Sequence, residues 1–335
     1  MTVGVVLMAY GTPRAPEEIE AYYTDIRRGR PPTTEQLADL TRRYEAIGGT
    51  SPLAARTEAQ RDALQRALDD AQPDRFVVRI GLKHADPKIE TTVAELAREG
   101  AERLVGLVLA PHYSMLSVGE YLGRAGAAAA AAGLPFAGIE SWATEPAYVK
   151  FLAEDVRRRL AEMPPNSKVV FTAHSLPRRI LDTGDPYPDE LMATASAVAG
   201  VLALDPWSTW SIGWQSAGRT PEPWIGPDLL TVIDELAASE NADGLLVCPC
   251  GFVSDHLEVL YDLDIEARQR AQAHGLVFDR TASMNDDEAV IAALAARVER
   301  DERAEQAHAG SASASERDGD GVRGRSPRDV ISDER

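Results

Sequence analysis

The sequence predicts an α/β protein of two Rossmann-like domains, each a parallel sheet flanked by helices, with a cleft between them. Three observations lead there. Short apolar, β-branched runs alternate with longer amphipathic ones, the pattern of parallel sheets covered by helices. The strand end AYGTP (9–13) is echoed by AHSLP (173–177), each with a small polar residue and then proline. GLKHADP is likewise matched by GWQSAGRTP, and LAPHYS (109–114) by CPCGFVSDH (248–256), so each half runs strand by strand in the same order.

Taken in order, VGVVLMAY, FVVRIGL, LVGLVLA, VVFTAH, WSIGWQ and GLLVCP read as buried strands. Helical patterns lie near 53–71, 88–99, 118–133, 146–162, 188–203, 226–238 and 287–305. The domain boundary is expected near residue 145, within or just after SWATEPAY. This places an N-terminal domain at 1–145 and a C-terminal domain at 146–305, whose last helix could pack back on the first. From about 306 to 335 apolar residues thin out and glycine, serine and charge dominate, the composition of a disordered acidic tail.

Composition narrows the partners. Acidic residues number 53 against 35 basic ones, a net charge of -18 that repels phosphate backbones and anionic lipid. No nucleic-acid or membrane partner is expected. Lys83, Lys88, Lys150 and Lys168 are the four lysines, leaving 31 of the 35 basic residues as arginine. A GC-rich genome accounts for that preference but not for the acid excess, which leaves a salt-rich cytoplasm open. The first apolar run meets turn residues at GTP, so it reads as a strand and not as a secretion signal. No stretch reaches the roughly 18 to 20 apolar residues of a membrane span. A soluble, cytoplasmic protein is the expectation.

In open α/β sheets ligands gather beyond the carboxyl ends of the strands. The repeat puts Tyr10, His84, His112, His174, Trp214 and the helix of Glu258 at such ends. Ser175 beside His174 lacks the G-x-S-x-G elbow of a serine hydrolase. The stretch GFVSDHLEVLYDLDIEA carries Glu258, Asp262 and Glu266 at four-residue intervals. On an α-helix each four-residue step drifts by about 40°, and on a π-type turn of about 4.4 residues by roughly 33° the other way, so in either winding the three share one broad stripe. By itself such a row is either a solvated helix face or a path of hard oxygen ligands for a divalent cation.

MAYGTP, RRYEAIGGTSPLA, GLKHADP, FTAHSLP, GWQSAGRTPEPWIGPD and GFVSDHLEVLYDLDIE, in this order, resemble the ferrochelatase family across roughly residues 3 to 267. They look most like its soluble bacterial coproporphyrin III members. The resemblance implies the chelatase fold and insertion of Fe²⁺ into a porphyrin in haem biosynthesis, with release of two pyrrole protons. By motif it implies His174 and Glu258 as the catalytic pair that binds iron and accepts protons. Asp262 and Glu266 would be the outer acids of the metal path, on a helix with a π-type distortion. Tyr10 would face the opposite side of the porphyrin, and Arg27, Arg43, Tyr44, Ser51 and Tyr121 would surround it and its propionates. His84 could touch porphyrin or metal, and His112 would be structural.

Within the segment 22–49, Arg27, Arg28, Arg30, Arg42 and Arg43 suit carboxylates, and coproporphyrin carries four propionates where protoporphyrin carries two. The longer apolar lip of the membrane-associated protoporphyrin enzymes is absent. Iron is thus expected as substrate and no cofactor as a permanent resident. Cys248 and Cys250 are too few for a two-iron cluster, which needs four cysteine ligands, and read as buried small residues. A monomer is expected, as is common among the soluble relatives. The alternatives are a protoporphyrin enzyme, a related cobalt chelatase, and a haem- or metal-binding protein without turnover.

Overall fold

The computed structural model describes residues 2–205, 209–218 and 220–319. Strands β1 (Val3–Ala9), β2 (Phe76–Leu82), β3 (Arg103–Val108) and β4 (Phe136–Ile139) form one parallel sheet in the order β2-β1-β3-β4. Strands β5 (Ser167–His174), β6 (Trp210–Gln215), β7 (Gly244–Cys248) and β8 (Val277–Arg280) form the second, in the order β6-β5-β7-β8, also parallel. Position for position the two orders are the same, so the repeat seen in the motifs is a repeat of topology. In both sheets the chain reverses its direction of travel between the first strand and the third. That switch point opens a crevice beyond the strand ends, at Tyr10 in one sheet and His174 in the other.

The helices are α1 (Ile19–Ile26), α2 (Thr34–Ala46), α3 (Leu53–Ala71), α4 (Ile89–Arg98), α5 (Val118–Ala131) and α6 (Pro146–Leu160). They continue with α7 (Tyr187–Leu202), α8 (Leu229–Ser239), a π-helix (Val259–Ala267) running into α9 (Arg268–Ala273), and α10 (Glu288–Gly319). The seven helices read from periodicity are present. The sequence reading omits β4, β8, α1, α2 and α9. FAGI and VFDR are four-residue edge strands, too short for a period to register. α2 is mostly polar and is held by local chemistry, a capping box in which Thr33 and Gln36 satisfy each other's backbone N–H. The last helix passes the expected end near 305 and runs to Gly319, in keeping with the alanines that punctuate this stretch. Residues 320–335 of the expected acidic tail lie outside the described residues.

β1 is buried at all seven positions, as a central parallel strand must be. One core runs between the sheets. Val5, Leu7 and Val105 meet Val169, Phe171 and Leu246 across α6 and α10, with Trp142, Tyr148, Leu152 and Leu294 filling the middle. The outer face of the first sheet packs on α4 and α5, and that of the second on α8 and the π-helix. α10 thus returns from the second sheet to lie on α3, β3 and β4 of the first. Its buried Glu302 meets Arg75 at 2.7 Å and Arg103 at 3.5 Å.

His112 is 2% exposed and joins the two halves, its Nε2 lying 2.8 Å from Thr194 Oγ1. The Thr194 hydroxyl donates to the Ala143 carbonyl, so His112 Nε2–H donates to Thr194. Burial pushes this imidazole down to about 3. An unfolded histidine titrates near 6.5, so between about 6.5 and 3 only the unfolded chain takes up the proton. Stability therefore rises with pH across that window and is lost as pH falls below about 6.5. We expect His112 to account for about 2 kcal/mol of the loss between pH 7 and pH 5. Urea unfolding of His112→Asn at both pH values should show the difference shrink by that amount, and an undiminished difference would refute the assignment.

Candidate active site

His174 is the last residue of β5, and its Nδ1 lies in hydrogen-bond contact with the Ser175 carbonyl. A carbonyl only accepts, so Nδ1 carries a proton there, and Nε2 is the ring nitrogen turned to the crevice. Tyr187 supports the same backbone, its hydroxyl donating to the His174 carbonyl at 3.0 Å. Trp224 and Phe252 flank the imidazole with ring centres 6.4 Å away.

Across from it, β7 ends at Cys248 and a turn through Gly251 leads to Glu258, which caps the π-helix. The turn needs glycine, because a Cβ at Gly251 would lie 2.4 Å from the Ala173 Cβ. Glu258 Oε1 stands 3.7 Å from His174 Nε2. Its other oxygen lies 3.6 Å from Nε2 of His256, whose Nδ1 also binds a backbone carbonyl, that of Ser254, at 2.9 Å. Glu258 therefore sits between two imidazoles, each held through its Nδ1 by a backbone carbonyl with Nε2 toward the carboxylate. Burial raises its carboxyl, but His174 first, then His256 and Arg43, outweigh that and hold it below the usual glutamate value. His256 is the residue that sequence reasoning missed. Its placement two residues before the acid, at a helix start, was the available signal.

The π-type distortion implied by the family resemblance is present over Val259–Ala267. Asp262 follows Glu258 on the same side and is fixed by two residues. Ser216, at φ +59° in the left-handed region beyond β6, directs its hydroxyl onto Asp262 Oδ2. Arg43 reaches over from α2 with Nη1 3.4 Å from Asp262 Oδ1, while its guanidinium stacks 4.8 Å from the Tyr261 ring centre and approaches Asp39 at 3.5 Å. Burial, then the charge of Glu258, pushes the Asp262 carboxyl up to about 7. Glu266 is half-buried at the outer end of the row. Glu258, Asp262 and Glu266 thus follow one another along one helix, with His174 facing the first of them. Among the described residues no three histidine, cysteine or acidic side chains converge closely enough to hold an ion.

The opposite wall comes from the first sheet. Tyr10, 42% exposed, stacks on His84 with ring centres 4.6 Å apart, and His84 Nδ1 lies 2.7 Å from Asp25. Desolvation by the crevice walls and the charge of Glu258 hold the Tyr10 phenol above its ordinary value, so the two walls feel each other. Tyr44 is buried with its hydroxyl 3.3 Å from Thr12 Oγ1. Tyr121 is buried beneath the Lys83 ammonium, 5.4 Å from the ring centre. Ser51 is buried as well, and its hydroxyl accepts from Leu53 N–H at the start of α3. Arg27, at the end of α1, exchanges hydrogen bonds with the backbone of Arg30, and among the described residues neither pairs with a carboxylate. Cys248 and Cys250 are free thiols at 0% exposure.

The whole arrangement offers an imidazole facing a carboxylate, further acids along the adjoining helix, and, at Arg27 and Arg30, guanidiniums with no carboxylate partner among the described residues. The ferrochelatase family model matches residues 2–302. A coproporphyrin III ferrochelatase of Halalkalibacterium halodurans is 43% identical over 302 residues, covering 89% of this chain and 96% of its own. That of Oceanobacillus iheyensis is 46% identical over 271 residues, covering 79% and 86%. A ferrochelatase of Herpetosiphon aurantiacus is 42% identical over 293 residues, covering 86% and 95%. SirB from Bacillus subtilis with Fe³⁺ shares the fold at a TM-score of 0.55 and 14% identity, over 90% of this chain and 96% of its own. The chain belongs to the ferrochelatase family.

Proposed function

We propose that this chain inserts Fe²⁺ into coproporphyrin III to give the iron porphyrin of haem biosynthesis, in the crevice between its two halves. One dication enters the ring as two pyrrole protons leave. The observation that carries the reading is the His174–Glu258 pair at 3.7 Å, at the inner end of the acid file. His174 Nε2 takes a pyrrole proton as general base, and the facing Glu258 carboxylate stabilises the imidazolium that forms. Fe²⁺ favours deprotonated ligands, so metal and proton compete for the pair. That competition drives protons outward as iron moves inward along Glu266, Asp262 and Glu258.

On this reading Tyr10 lies against the opposite porphyrin face, with Tyr44, Ser51 and Tyr121 behind it, and residues 1–145 and 146–305 are the two lobes. The choice of coproporphyrin rests on Arg27 and Arg30, which pair with no acid among the described residues, and on the substrate borne in the names of the Halalkalibacterium and Oceanobacillus relatives. No helix among the described residues is long and apolar enough to cross a membrane. We place the reaction in the cytoplasm.

The test is anaerobic mixing of the protein with coproporphyrin III and Fe²⁺, followed by loss of porphyrin fluorescence, with protoporphyrin and Co²⁺ in parallel. Faster turnover of coproporphyrin with Fe²⁺ is expected. Preference for protoporphyrin or for Co²⁺ would reassign the substrate. Tight haem binding without turnover would make this a binding protein.

A further inference from the structure

Asp255 and Asp264 flank the acid file without joining it. Arg280, the last residue of β8, grips Asp264 with two parallel hydrogen bonds, Nε to Oδ1 at 2.7 Å and Nη2 to Oδ2 at 2.8 Å. The same Nη2 lies 3.5 Å from Asp255 Oδ1. The Arg280 side chain is only 14% exposed. One guanidinium therefore ties the middle of the π-helix to the loop that leads into Glu258.

That loop is anchored from behind. Asp255 accepts from Ser283 Oγ at 3.1 Å and Asn285 Nδ2 at 3.0 Å, and its N–H donates to Asn285 Oδ1 at 3.1 Å. Asn285, at φ +45°, accepts through its carbonyl from Gln60 of α3 at 2.8 Å. Gln60 is wholly buried and also accepts from Ser254 Oγ at 3.1 Å. Arg280 closes this network onto the π-helix. The cavity of about 240 Å³ beside it is lined by Arg159, Arg268 and Arg280 with Asp255, Asp264 and Asp279. These charges pair with one another, which suits a framework better than a ligand site.

π-helices are rare and usually a single turn, so a nine-residue stretch needs support from outside its own backbone. An α-helix turns about 100° per residue, and a π-helix of about 4.4 residues per turn about 82°. Six residues separate Glu258 from Asp264. With Asp264 pinned, relaxation to α winding would swing Glu258 by roughly 110° about the helix axis. Asp262, two residues from the pin, would turn by roughly 35°.

We propose that Arg280 is a positioning residue for metal insertion: by holding Asp264 and Asp255 together it sets the π winding that aims Glu258 at His174. This rests on the metal-insertion reading above. Arg280→Gln and, separately, Asp264→Asn are compared with the wild type for kcat, metal KM, porphyrin affinity by fluorescence titration, melting temperature, and hydrogen exchange of the amides of 259–267. The proposal expects each variant to lose about tenfold in kcat and to raise the metal KM, with porphyrin affinity within about twofold. The double variant should be no worse than the poorer single one, and Arg280→Lys should recover part of the loss. Exchange should quicken in 259–267 and not in β5. Unchanged kcat and metal KM, or porphyrin affinity and melting temperature falling in step with kcat, would overturn it. If the wild type itself shows no insertion, the function is wrong, and hydrogen exchange alone decides whether Arg280 holds the π-helix.

Discussion

Glu258→Gln should abolish most metal insertion while porphyrin still binds, with kcat falling by roughly 100-fold or more. The substitution keeps the shape of the side chain and removes one charge. Glu258 is the acid nearest His174 Nε2, at 3.7 Å, and the imidazole has its Nδ1 engaged with the Ser175 carbonyl. A pyrrole proton accepted at Nε2 would then find no facing carboxylate, and incoming iron would lose its innermost anionic ligand. Both losses fall on the reacting state more than on the bound porphyrin, so kcat drops and porphyrin affinity stays within about threefold. Stopped-flow insertion and fluorescence titration separate the two. Wild-type turnover in this variant would remove Glu258 from the chemistry. A parallel collapse of porphyrin affinity would make it a wall of the binding site instead.

The largest effect on stability should come from Glu302→Ala, at about 3 kcal/mol. The Glu302 side chain is 1% exposed and meets two guanidiniums, Arg75 on the connection into β2 and Arg103 at the head of β3. Removing the carboxylate leaves both cations without that partner at a buried helix contact. Their own side chains are 26% and 16% exposed, so solvent offsets part of the loss and places it at the low end for a broken buried pair. Urea unfolding should show a lower midpoint. A midpoint equal to that of the wild type would mean that α10 is held by its apolar contacts alone, through Val290, Ile291, Leu294 and Val298.

Much of the molecule follows from local pattern. The alternation of apolar runs with amphipathic ones placed six strands and seven helices, and the paired motifs anticipated two sheets of the same order. The π winding of the acid-bearing helix was implied by the family resemblance and not by the four-residue spacing, which makes much the same stripe in either winding. FAGI and VFDR escaped because four residues cannot display a period, and their strand character comes from pairing with β3 and β7.

The partners of the charges lay beyond sequence reading. Arg43 stands among arginines fit for propionates, yet its guanidinium lies between Asp39 and Asp262, the latter 219 residues away. Gln60 reaches Asn285 across 225 residues, and Arg75 reaches Glu302 across 227. Nothing in the spacing of Asp255 and Asp264 shows that β8 brings Arg280 between them. Periodicity along a chain records which face of an element is apolar. Which charges meet when two faces close is decided by strand order and packing. The sequence by itself therefore determined the elements, the repeat and the residue types of the site, while the tertiary structure alone decided what holds them in aim.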